Sequence, residues 1–208
     1  MAEAIAPEYE KFIDAERKAR RLPAEPERPV TGDTSHPIFI ERKQAAELLR
    51  VAARRASGLF HATRRTEVVW VAGDSELAVI FNEITIDFDD GMVRVAIPVR
   101  CDQTGDAKVE VFFSVGSEKQ PAGLYASTFS RPNGPEVIVG VWGEALVAYA
   151  WQCVLGLVSG IAGAMGKDQR GNVLVPVEMT ASRRGLQIVP MARHRFAGSS
   201  GLKPAGSK

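Results

Sequence analysis

A chain of 208 residues that is 45% hydrophobic can bury a core of its own without disulfide or metal staples, and it suits one domain with appendages. Its two cysteines, Cys101 beside the polar run CDQTGD and Cys153 inside an apolar stretch, exclude a disulfide framework and a metal-ligand spacing and fit a reducing compartment. The net charge of +1 conceals a partition: residues 66–140 carry −7, between segments 41–65 and 141–208 of +5 each, an asymmetry that bears on association and not on fold.

The N-terminus, MAEAIAPEYEKF, has no basic segment followed by an apolar core, so a cytoplasmic protein is the expectation. Pro7 and Glu8 suit a helix start, with Tyr9, Phe12 and Ile13 on one face. Pro23, Pro26, Pro29 and Pro37 then make a stiff extended connector. Residues 1–40 thus read as an arm that docks on its own domain or on a neighbour, 41–196 as a single domain and 197–208 as a flexible tail.

From Glu41, Ala45, Leu48, Leu49, Ala52, Ala56 and Leu59 recur at helical spacing, and Gly58 marks the end near Leu59 or Phe60. Lys43, Glu47, Arg50 and Arg54 fall on the opposite side, with Arg55 nearby. Lys43, Arg50, Arg54 and Arg55 are therefore the candidate binding residues for a phosphate backbone or another acidic surface, although no aromatic residues interleave with them to stack on bases. The ordinary reading is a solvated helix face.

Strands follow. In NEITIDFDDGMVRVAIPV, an Asp90-Gly91 hairpin loop pairs Asp89 with Met92, Phe88 with Val93, Asp87 with Arg94, Ile86 with Val95, Thr85 with Ala96 and Ile84 with Ile97. A slip of one residue would turn the apolar set into water. Glu83, Asp87 and Asp89 project from one face, but the calcium-loop pattern is absent and Arg94 supplies a counter-charge, so no metal site is expected. Val109, Val111, Phe113 and Val115 alternate as a further strand. Leu124 to Ser130 and Val137 to Val141 read as strands around the turn cluster RPNGPE. Near the C-terminus, NVLVPVEMT and LQIVPMA form a hairpin about ASRRG, with Gly185 expected in the left-handed region. Pro98, Pro176 and Pro190 belong at edges or bulges, because proline cannot donate to a ladder.

Between these strands lies ALVAYAWQCVLGLVSGIAGAMG, Ala145 to Gly166, without a formal charge. Its seven strong membrane formers are worth about −2 to −4 kcal/mol on an insertion scale, and its glycines and Gln152 offset that. With half-buried strand patterns on both sides, a core helix is expected, in which Gly156-x-x-x-Gly160 permits close approach to a neighbouring backbone. A membrane span over 145–165 is the alternative.

In VVWVAGDSEL, Gly73-Asp74-Ser75 follows a strand, which resembles the nucleophile block of the GDSL or SGNH hydrolases. The resemblance covers about eight residues and implies Ser75 as nucleophile with a late histidine, His194, to activate it. That family's aspartate three residues before the histidine falls on Met191 here, and its glycine-x-asparagine-aspartate block has no counterpart. Gly-Asp-Ser as a tight connection between Val71 and Leu77 is the plainer reading. Asp102 beside Cys101 disfavours a thiolate there. No phosphate loop or dinucleotide fingerprint is present, so no cofactor is expected.

The expectation is an α+β protein: an antiparallel, meandering sheet of about eight strands, an N-terminal amphipathic helix before it, and one buried Gly/Ala-rich helix packed on it. The expected function is non-catalytic binding or assembly through a protein partner or self-association. A hydrolase using Ser75, nucleic-acid binding and membrane attachment are the alternatives.

Overall fold

The computed structural model describes residues 37–59, 64–117, 125–126, 131–168 and 170–193. Residues 1–36 of the arm and connector, and His194 with the tail, lie outside them.

Ile38–Glu41, left without an element above, forms strand β1, and helix α1 follows over Arg42–Ala56. Its first turn is closed by the Glu41 N–H, which donates to Gln44 Oε1 at 2.9 Å. Its last turn closes when the Gly58 and Leu59 N–H groups donate to the carbonyls of Arg55 and Arg54 at 2.8 and 3.2 Å, the paired bonds of a Schellman end. Ala45, Leu48, Leu49, Ala52 and Ala53 are buried, which is the apolar stripe that the spacing demands.

The strands are antiparallel and divide into two sheets rather than one. A six-stranded sheet holds β2 (Val68–Ala72), β3 (Ser75–Val79), β5 (Met92–Cys101), β6 (Gly105–Ser114) and the short β7 (Tyr125–Ala126), with β4 (Thr85–Asp89) also paired to β5. The three-stranded sheet runs β1, β9 (Gly185–Arg193), β8 (Val173–Ser182). Backbone bonds join them: the Gly91 N–H donates to the Ala181 carbonyl at 3.1 Å, and the Gly116 N–H to Met179 at 3.1 Å. Arg183 adds an ion pair to Asp89, 3.1 Å, from one hairpin tip to the other.

The Asp90-Gly91 hairpin has the register derived from alternation, from Thr85 opposite Ala96 to Asp89 opposite Met92. Ile84, Ile86, Phe88, Val93, Val95 and Ile97 are all buried, as are Val109, Val111 and Phe113 on β6.

The prolines find their gaps in different ways. Pro98 is not on an edge strand. It stands where β5 changes neighbours on one side, after β4 pairing ends at Ala96 and before β3 pairing starts at Val99, so its missing N–H interrupts no ladder. Its carbonyl accepts from Ile80 N–H at 2.9 Å. Pro176 and Pro190 face one another across β8 and β9 at a register shift.

Helix α2 runs over Glu136–Met165, thirty residues, and corrects the strand expected over Val137 to Val141. A short Val-Ile-Val run fits either element by alternation alone, and here helical spacing decides: Ile138, Val139, Trp142, Gly143 and Leu146 are the buried positions. Pro135 and Glu136 suit the helix start, where the Ile138 and Val139 N–H groups donate to the Pro135 carbonyl.

The two helices pack on each other and on the sheets, closing one apolar core from Ile40 to Ile188. At Gly156 the two helices come close: a Cβ there would stand 3.1 Å from Ala52 Cβ, so this glycine lets α2 seat on α1. Tyr149, on the same seam, donates to the Ala53 carbonyl at 3.2 Å and lies 3.0 Å from the Ser57 hydroxyl. Trp70 of β2 packs edge-on against Tyr149, 5.5 Å between ring centroids, and at a tilt against Trp142. Burial raises the Tyr149 phenol, so it stays neutral and keeps donating. Tyr149→Phe is expected to cost about 1 kcal/mol, a melting shift of roughly 2–4 °C by calorimetry, because one seam hydrogen bond is lost with packing retained.

Candidate assembly surface

Twelve residues of α2, among them Leu146, Ala150, Cys153, Leu157 and Ile161, are buried. The opposite face is open. Val137, Val141, Glu144, Ala145, Ala148, Gln152, Leu155 and Ser159 are exposed. Most are three or four residues apart, so they lie in one stripe along the helix. Val137 is 49% exposed, Val141 57% and Leu155 41%, and Glu144 is the single charge on the stripe. A helix face that meets only water carries charged residues. The outward face of α1 does, with Arg42, Lys43 and Glu47 exposed, and α2 does not. Helix α2 is also long and apolar enough to cross a membrane by length and composition, and well under half of its most apolar window is buried.

The candidate cations of α1 differ in exposure. Lys43 is exposed. Arg50, Arg54 and Arg55 are half-buried, and the Nε atoms of Arg50 and Arg54, one turn apart, are buried with no hydrogen-bond partner. The side chains therefore lie along the protein with their stems covered, as long basic residues do on apolar surface.

A shallow depression of about 230 Å³ opens on the outer face of the larger sheet, walled by Arg42, Asp87, Arg94, Lys108 and Glu110. Its charges answer one another. Asp87 is met by Arg94 at 2.5 Å and by Arg42 at 2.8 Å, and Glu110 by Lys108 at 3.1 Å and Arg94 at 3.7 Å. Burial pushes the Asp87 carboxyl up, but the Arg94 hydrogen bond, the Phe88 N–H and Arg42 together leave it below its ordinary value. The Lys108 ammonium does the same for Glu110 against a smaller burial effect. Carboxylates lowered in this way stabilise the fold above the ordinary carboxylate range and lose that contribution as pH falls through their lowered values. Acid titration followed by circular dichroism should therefore show stability falling below about pH 4, and the Asp87→Asn variant should lose less over that interval.

Ser75 opens β3 straight after the two-residue Gly73-Asp74 turn of an antiparallel hairpin, where Ala72 pairs with Ser75. That is the tight connection, and not the strand-to-helix corner that exposes a hydrolase nucleophile. His194 is outside the described residues. Asp87 and Asp89 are engaged by arginines, and among the described residues no group of three or more His, Cys, Asp or Glu is placed to hold a metal ion.

Cys101 departs from expectation. Its thiol is lowered from the ordinary value, first by the Thr104 hydroxyl at 3.2 Å and then by the N–H groups of Thr104 and Gln103, which together outweigh burial and the smaller effect of Asp102. Burial pushes Cys153 the other way, to about 12. At pH 8 a thiol reagent is expected to modify Cys101 alone in the folded protein and both cysteines in denaturant; two fast thiols in the native state would contradict the packing of α2.

The α2 stripe was not legible beforehand because the segment is apolar on every side, which hides the contrast between faces. The signal available was the recurrence of small and apolar residues at separations of three and four from Val137 to Ser159. Compared with models of known families, with curated proteins and with solved structures, the chain matches none.

Proposed function

We propose that this protein is a non-catalytic assembly protein that works by self-association, and that the outer stripe of α2 is the surface it uses. The observation that carries this reading is the contrast between helices: α1 turns charge outward, whereas α2 turns out Val137, Val141, Ala145, Ala148 and Leu155 with one carboxylate. Contiguous apolar surface rimmed by polar groups is characteristic of interaction sites. The paired charges of the sheet depression and the hairpin setting of Ser75 give less support to a small-ligand or hydrolase role.

Light scattering across the micromolar range tests the proposal. A mass that rises with concentration supports it, and a strict monomer rejects it. The length and apolarity of α2 favour a second reading, attachment to a lipid surface. Monomeric protein that sediments with phospholipid vesicles would replace self-association with that reading.

A further inference from the structure

We infer that Arg50 and Arg54 form a clamp for one phosphate monoester group, an inference that goes beyond self-association and stands on the other helix. The two side chains lie one turn apart on α1, with Cβ atoms about 5–6 Å from each other, where like charges repel unless a counter-charge stands between them. The protein supplies none. Among the described residues neither side chain makes a hydrogen bond or an ion pair, and Glu47, the acidic residue on that side of the helix, is exposed and engaged with neither.

Burial singles out this pair from the other cations. The Nε atoms of Arg50 and Arg54 are sealed from water without a partner, a cost that a surface arginine escapes by turning its whole guanidinium outward. The remaining partnerless buried side-chain polar atom among the described residues is Asn82 Oδ1, on the short 3₁₀ turn Phe81–Glu83, which packs against α1. All such atoms therefore fall on two touching elements. Basic residues in a last helical turn answer the helix dipole, which accounts for Arg54 and Arg55 but not for Arg50, nor for the sealing of both Nε atoms.

A sealed Nε holds each stem in place and leaves the terminal nitrogens, neither sealed nor bonded, as the open donors. Planar forks held in this way lose little freedom when they bind. A phosphate monoester carries about −1.5 to −2 at pH 7 and presents three acceptor oxygens, so it can neutralise both guanidiniums while giving oxygens to each. A phosphodiester carries a single charge and leaves one arginine unmatched.

Calorimetric titration of the full chain with inorganic phosphate, at constant ionic strength in chloride, tests the clamp. The wild type should give saturable heat that sulfate displaces. Arg50→Lys and Arg54→Lys keep the charge and lose the fork, so each should bind at least about tenfold more weakly, and Arg50→Gln/Arg54→Gln should not bind, all with native circular dichroism. Lys43→Gln, two turns from Arg50 and about a screening length away, should stay within about twofold of the wild type. Phosphatidylcholine vesicles containing phosphatidic acid separate the sources of the group: sedimentation that requires both arginines, without heat on inorganic phosphate, assigns a lipid headgroup, whereas attachment through α2 would not require them. Lysine variants that bind as tightly as the wild type, a double glutamine variant that binds equally, equal sedimentation with phosphatidylglycerol vesicles of the same surface charge, or a wild type that binds neither source overturns the clamp and leaves the self-association reading untouched.

Discussion

Replacing Gly185 with alanine is expected to lower the melting temperature by roughly 5–15 °C, the equivalent of about 2–4 kcal/mol in a domain of this size. The Cβ would sit 2.2 Å from the carbonyl oxygen of Ile40 and 3.1 Å from Phe39 Cζ, and the φ of +151° is one that residues with a side chain rarely adopt. The contact is with backbone on the paired strand, Glu41 opposite Gly185, so no rotamer change relieves it. Strand β1 has to part from β9, and β1 leads directly into α1. Gly73→Ala is the control. Gly73 also has positive φ, +59°, but has open space around it, so it should cost only about 1–2 kcal/mol. Comparable losses at the two positions would mean that φ, and not the approach of β1, is what Gly185 serves.

Leu146→Ala is expected to destabilise by about 2–5 kcal/mol in chemical denaturation, because Leu146 is fully buried at the middle of the core and its loss leaves a cavity. Leu155→Ala, nine residues along the same helix, should change stability by less than about 0.5 kcal/mol. The difference reads out the two faces of α2. A large loss at Leu155 would place that side chain inside the fold and remove the basis for an assembly surface.

The hairpin over Thr85 to Ala96 could be registered residue by residue from sequence because a period of two with one buried face admits a single alignment, and Asp90-Gly91 fixes the turn. Helix α1 was equally readable, since its apolar and charged residues segregate at a period of 3.6. The start of α2 was not, because four or five apolar residues carry no periodicity that separates strand from helix. The division into two sheets depends on which edges the Gly91 and Gly116 backbones reach, which is a tertiary matter. Gly185 was legible as a required glycine, yet for the wrong reason: its φ is not left-handed helical, and the approach of Ile40 is what excludes a side chain. Of the candidate site, the arginines of α1 were visible and the stripe on α2 was not, since a face with a single charge, Glu144, is conspicuous only once the opposite face is known to be filled.

Helix α2 is held inside by one face, and the proposed self-association uses the other. Sedimentation equilibrium of the wild-type chain beside the Val141→Glu/Leu155→Glu double variant addresses it most directly. The account predicts a wild type whose mass climbs toward two chains with concentration and a variant, equally stable to heat, that remains at one chain throughout. Identical masses for the two proteins at every concentration would contradict it.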